Sequence, residues 1–277
     1  SEPGFTFVKI LIKKLFGEGD TTFRLSMSIL HSLPVILVMR YYSSDYITSI
    51  FLFVMTNFYT AWMMNGLRQF LAAVLIFAAT PLLLKKKYIP LFAIILAAST
   101  IHSSAVLMIP VSIIVQGKAW NKRTVMFILG SLVLMFICSN SLGFFDSAIE
   151  SAGFNYSISS ARDGGDDGTS FLRVLVNSVP TIICFVFRKQ LDTENRVINI
   201  CVNMSVITTG LYLISMVTSG ILIGRLPGYT DMYNFILLPY LIKNVFGEQD
   251  SKTVNTIMVV MYIIYYFYQS HVVSALF

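Results

Sequence analysis

The sequence predicts an all-α, polytopic integral membrane protein with about 8–10 transmembrane segments. Three observations carry this. Hydrophobic residues make up 56% of the chain and charged residues only 12%, whereas a soluble domain carries about 25% charged residues. The mean hydropathy is +0.73. Apolar runs also recur at lengths near the ~20 residues a helix needs to cross a bilayer. They are continuous, not alternating, which excludes a transmembrane barrel built from strands of about 10 residues.

Taken in order, residues 3–17 (PGFTFVKILIKKLFG) mix apolar positions with Lys9, Lys13 and Lys14. That pattern predicts an amphipathic helix lying at the membrane interface, occupying 1–20 of a single membrane domain that spans 1–277. Apolar runs follow at 22–39, 46–63, 66–84, 88–116, 124–142, 170–187, 197–223, 231–246 and 253–276. The chain opens at Ser1 without Met and closes at Phe277 directly after an apolar run. Further segments are therefore expected beyond one or both ends.

Loop charges set the sidedness, because cytoplasmic loops are rich in Lys and Arg. Lys85–Lys87, the group Lys118, Lys122 and Arg123, RKQLDTENR at 188–196, and GEQDSK at 247–252 mark the inner side. The net charge of +6 is accounted for by such loops and does not call for a nucleic-acid partner. Segment 143–169 carries Asp146, Glu150, Asp163, Asp166 and Asp167 against Arg162, and is expected as an extracytoplasmic loop. The run 88–116 has basic loops at both ends and polar residues, ASTIHSSA, at its centre. A re-entrant helical hairpin over 88–117, with His102 at its tip beside a water-accessible cavity, resolves the conflict. The other reading is a single tilted helix with one loop violating the charge rule. On the hairpin map Glu2, Arg68, His102, Arg225 and His271 gather on the outer face.

Arg68, followed by Gln69, sits at the mouth of an apolar run. Its guanidinium is a permanent, planar fork of donors suited to phosphate oxygens; the plainer reading is a snorkelling anchor at the headgroups. His102 is an ionisable residue inside an apolar run, and so a functional candidate by default, as acid, base or phosphate donor. Its plainer reading is a bond to Ser99, Ser103 or Ser104. Arg225, in GRLPGYTDMY at 224–233, sits among helix breakers that let backbone approach a ligand. Tyr229 and Tyr233 beside it are candidate substrate contacts or interfacial anchors, and Ser103 is a further candidate contact. His31 reads as packing. ARDGGDDG at 161–168 lacks the EF-hand spacing and reads as a flexible, solvated loop. NYS at 155–157 is a glycosylation triplet only in form. Cys138, Cys184 and Cys201 show no metal-ligand spacing and read as buried thiols. No phosphate loop, HExxH, G-x-S-x-G or dinucleotide fingerprint occurs, which disfavours ATP-driven transport and zinc hydrolysis.

EPGF at 2–5, NGLRQFLA at 65–72, LAASTIHSSA at 96–105 and GRLPGYTDMYNFILLP at 224–239 fall in an order and spacing that resembles the EpsG-like, Wzy-type polysaccharide polymerases. The resemblance runs along nearly all of the chain. It implies a multi-pass bacterial inner-membrane glycosyltransferase in surface polysaccharide biosynthesis (capsule, exopolysaccharide or O-antigen). Such an enzyme joins oligosaccharide repeat units carried on undecaprenyl diphosphate at the extracytoplasmic face. Arg68 and Arg225 match the arginines thought to hold the diphosphate, His102 matches the family histidine, and Glu2 matches the acidic residue of the EP motif. Gln69 accompanies Arg68. The acceptor's base is Glu2 or His102. The family usually has further apolar segments before the EP motif, which fits a truncated chain. No metal and no cofactor is expected; lipid-linked oligosaccharides, membrane lipid, and chain-length or export proteins are the candidate partners. Two other readings compete: a transporter or flippase of lipid-linked sugars, disfavoured by the lack of an internal repeat, and a non-catalytic subunit of an export complex.

Overall fold

The computed structural model describes residues 2–140, 146–147, 165–246 and 248–273. Most of the acidic segment 143–169, including the NYS triplet, lies outside these residues, as does the side chain of Cys138. Among the described residues the elements are helical and there are no strands. The chain divides into two compact units, Ser1–Ile113 with Phe235–Phe277, and Ile114–Asn234.

The first unit opens with α1 (Pro3–Phe16) and α2 (Asp20–Tyr42), joined through Gly17, whose φ of 95° suits glycine. Then come α3 (Tyr46–Met55), α4 (Phe58–Asn65), α5 (Leu67–Ala78), α6 (Thr80–Leu84) and α7 (Tyr88–Ile101). A 3-10 segment, Ser103–Leu107, leads to α8 (Met108–Ile114). The unit is completed by α12 (Asn234–Val245), α13 (Glu248–Tyr268) and a π turn at Gln269–Val273. Helix α5 is central, packed on α2 and α7 and buried along most of its length. Phe53, Phe58, Trp62, Phe70 and Phe235 form an aromatic cluster around it. Such ring pairs contribute about 0.5–1.5 kcal/mol each beyond the area they bury. The Ser49 hydroxyl donates to the Phe235 carbonyl at 2.7 Å and ties α3 to α12.

Several long apolar runs are divided. Run 46–63 breaks at Asn57, which takes a left-handed φ of 58°, and the two arms bend by 47°. Asn tolerates that conformation better than other non-glycine residues. Run 66–84 is interrupted at Ala79 and run 88–116 at His102, so the division expected there is present. As a result, among the described residues two single helices, α2 and Arg196–Val217, are long and apolar enough to cross a membrane, and the bent α3–α4 pair adds a third. Runs 66–84, 88–116 and 170–187 form shorter apolar helices of 10–17 residues.

The second unit holds α9 (Lys122–Asn140), α10 (Phe171–Val186), α11 (Arg196–Val217) and two 3-10 segments, Ile223–Tyr229 and Asp231–Tyr233. Helix α11 is buried on all sides, as an apolar helix inside a bundle should be. At Gly210 the neighbour α9 comes so near that an added Cβ would lie 2.6 Å from the Phe127 ring. The α11 amides anchor the turn before α9: Asn199 accepts from the Ala119 N–H at 2.7 Å and Asn203 from the Trp120 N–H at 3.0 Å.

Candidate functional site

In the first unit the site starts from two helix ends. Glu2 is the N-cap of α1 and Pro3 its first residue, the position proline favours. The Glu2 side chain caps no backbone N–H of its own helix. Its Oε2 instead lies 2.8 Å from Arg68 Nη1. Arg68 stands in the first turn of α5, where the helix dipole already favours anions and a cation is out of place. The guanidinium and the dipole together make an electropositive spot, and Glu2 answers part of it. More than half of the Arg68 side chain is exposed, at 57%. The fork therefore remains open to a ligand from outside.

Helix α7 provides the third side of the site. It packs on both α1 and α5. A Cβ added at Gly4 would fall 2.9 Å from the Thr100 carbonyl carbon, so the glycine of EPGF is what lets α1 close onto the last turn of α7. His102 ends that helix in an extended conformation, φ −152° and ψ 119°, and its Nδ1 pairs with the Ser104 hydroxyl at 2.8 Å. Ser103 is exposed, whereas Gln69 is buried within the helix packing. His31, expected as packing, also steadies this region. It is fully buried, stacks on Phe70 at 4.7 Å, and its Nε2 meets the Leu67 carbonyl at 3.0 Å.

In the second unit Arg225 is half-buried in the 3-10 segment, while Tyr229 and Tyr233 are among the largest fully buried side chains. Any ligand contact from either tyrosine must therefore be made from within the core. Asp231 is buried as well. Asn234 Nδ2 donates to its carboxylate at 2.7 Å, and the Tyr212 hydroxyl and the charge of Arg173 act on the same group. Arg173 also lies over the Tyr212 ring at 5.9 Å. The sequence shows Asp231 within GRLPGYTDMY but gives no sign of Tyr212 and Arg173, which come from two other helices.

The end of the acidic segment departs from expectation. It is not a solvated loop at Asp166, which is only 8% exposed. Its carboxylate accepts from the N–H groups of Gly220 at 2.8 Å, Ile221 at 3.2 Å and Gly168 at 3.3 Å, and from the Ser219 hydroxyl. Burial pushes the carboxyl upward, but the Ser219 and backbone hydrogen bonds outweigh it and hold the group below its ordinary value. Gly168, at a φ of 84°, lies against the carbonyls of Ser215 and Met216, closing the clasp over the end of α11. Among the described residues no group of three or more His, Cys, Asp or Glu is placed to hold a metal ion.

No curated protein and no solved structure matches the chain. The model of the EpsG family covers the whole of it, residues 1–277, and with the helical membrane architecture already described this means that the chain belongs to the EpsG family, a family of polysaccharide polymerase-like membrane proteins.

Proposed function

We propose that this protein polymerises oligosaccharide repeat units carried on undecaprenyl diphosphate, as a glycosyltransferase working at the extracytoplasmic face of a bacterial membrane. The observation that carries the reading is the half-open Arg68 fork, 2.8 Å from Glu2 at the start of α5. In such a transfer the acceptor hydroxyl oxygen attacks the anomeric carbon of the donor sugar. The bond from that carbon to the diphosphate breaks, and the lipid diphosphate leaves with the electron pair. The hydroxyl proton goes to a base. A diphosphate leaving group needs its negative charge balanced more than it needs a proton, and Arg68 with the α5 N-terminus offers that balance. Arg225, in the second unit, keeps the diphosphate-binding role that the family resemblance implies. We assign the base to His102, because Glu2 is engaged by Arg68 and would surrender that cation on taking a proton. The loop charges support the outer face, since they place Glu2, Arg68 and His102 opposite Lys85–Lys87.

The test is in vitro polymerisation from lipid-linked repeat units in liposomes, with wild type beside Arg68→Ala, Arg225→Ala and His102→Ala. Ladders from wild type that are lost in each variant are expected. Ladders that persist in both arginine variants would reduce the arginines to membrane anchors. Substrate that crosses the bilayer without lengthening would make the protein a flippase.

A further inference from the structure

Helices α1 and α2 wall an apolar groove of about 500 Å³, a volume within the range of ligand pockets. Val8, Leu11 and Leu15 line one side and Leu25, Ile29 and Leu30 the other. Leu15, Leu25 and Ile29 are each at least half exposed, so no part of the described chain fills it. The position of the groove sets it apart from an ordinary lipid-facing surface. At one end Val8 lies six residues along α1 from Glu2, about 9 Å at 1.5 Å per residue. Leu30 directly precedes His31, whose Nε2 meets the carbonyl of Leu67, the residue before Arg68. The groove thus leads along both of its walls toward the Arg68–Glu2 pair. An occupant that uses both features has an anionic head and a long apolar tail.

We propose that this groove binds the polyprenyl chain of the lipid carrier whose diphosphate meets Arg68. The proposal rests on the reading of the substrate as a lipid diphosphate. It adds that affinity depends on chain length, because a tail too short to pass Val8 and Leu30 leaves the groove empty.

Binding of undecaprenyl diphosphate and of geranyl diphosphate to the full chain in nanodiscs tests this, with wild type, Leu25→Trp and Arg68→Ala. Wild type is expected to bind the long chain at least about tenfold tighter than the short one. Leu25→Trp, which fills the groove, should lose about that factor for the long chain and leave the short chain unchanged. Arg68→Ala should weaken both. Equal affinity of wild type for the two lengths, wild-type affinity of Leu25→Trp for the long chain, or no binding by wild type at all would overturn the proposal. A diazirine on the tail of the long chain guards against general damage in the tryptophan variant. Labels in wild type are expected on α1 and α2, and labels confined to other helices, or competed away by bilayer phosphatidylglycerol, sink the groove. Failure of the polymerase reading is distinguishable: chain-length-dependent binding would persist while lipid-linked repeat units failed to lengthen.

Discussion

The Arg68 guanidinium lies 2.8 Å from the Glu2 carboxylate, so the first turns of α5 and α1 are joined by charge although they begin different helices. Arg68 is too exposed for the pair to stabilise the fold by more than about 1 kcal/mol. Its consequence is for ligands, since an incoming diphosphate competes with Glu2 for the charge of the fork. Glu2→Gln should therefore tighten the binding of inorganic diphosphate, measured by calorimetry, and Arg68→Ala should abolish it. Removing a donor from developing negative charge typically costs about 10²–10³-fold in turnover, and Arg68→Ala is expected in that range with its melting temperature little changed. Arg68→Lys should recover only part, because an ammonium cannot present the planar fork. Diphosphate affinity that is the same in wild type and Glu2→Gln would mean that Glu2 and the ligand do not compete for Arg68.

Gly4 decides whether Glu2 reaches Arg68 at all. Gly4→Ala places a Cβ 2.9 Å from the Thr100 carbonyl carbon, which is backbone and cannot step aside. Helix α1 must then lift from α7. Such overpacking costs about 1–3 kcal/mol, and the melting temperature should fall accordingly. Polymerisation should fall further than the stability loss explains, because α1 packs on the last turn of α7, the turn that ends at His102. Full activity in a folded Gly4→Ala protein would show that the register of α1 on α7 is not needed.

The apolar runs were legible because a membrane helix must be apolar for most of its length, and each run observed is helical. The break at His102 was legible too, since ASTIHSSA places polar groups where lipid would penalise them. The break at Asn57 was not. One asparagine inside TNFYT looks like an ordinary polar residue in a span, and the aromatic cluster of Phe53, Phe58 and Phe70 around the bend assembles only in three dimensions. The Glu2–Arg68 contact was hidden for a related reason. Each residue announced itself by type, but their meeting depends on α1 docking through Gly4. Asp166 misled because a run of Asp and Gly has the composition of a solvated loop, while the donors at Ser219, Gly220 and Ile221 lie beyond the end of α11.

Asp166 gives the fold a pH dependence of definite sign. Its hydrogen bonds hold the folded carboxyl below its ordinary value, so folding favours the ionised form. That stabilisation is complete above the unfolded value, about 4. It is lost as pH falls from there through the lower folded value. Thermal unfolding of wild type and Asp166→Asn should therefore differ most near neutral pH, with wild type more stable. The difference should shrink as the pH drops below about 4. A gap that stays constant across this range would mean that the carboxylate's charge does not matter to the clasp.

Loop charges and helix breaks together predict which side of the membrane each part of the site faces, and cysteine labelling can read this directly. Ser103 is exposed beside His102, and Lys86 is exposed at the tight turn between α6 and α7, where its φ is 53°. In a background with Cys138, Cys184 and Cys201 replaced by Ala, Ser103→Cys should react with a membrane-impermeant maleimide added to intact cells. Lys86→Cys should react only after permeabilisation, since three consecutive lysines favour the cytoplasm. Modification at position 103 should also stop polymerisation, because it sets a bulky group next to the proposed base. The reverse labelling pattern would turn the whole site inward. Labelling of both positions from the cytoplasmic side would instead mean that the tip at His102 does not open to the outer face.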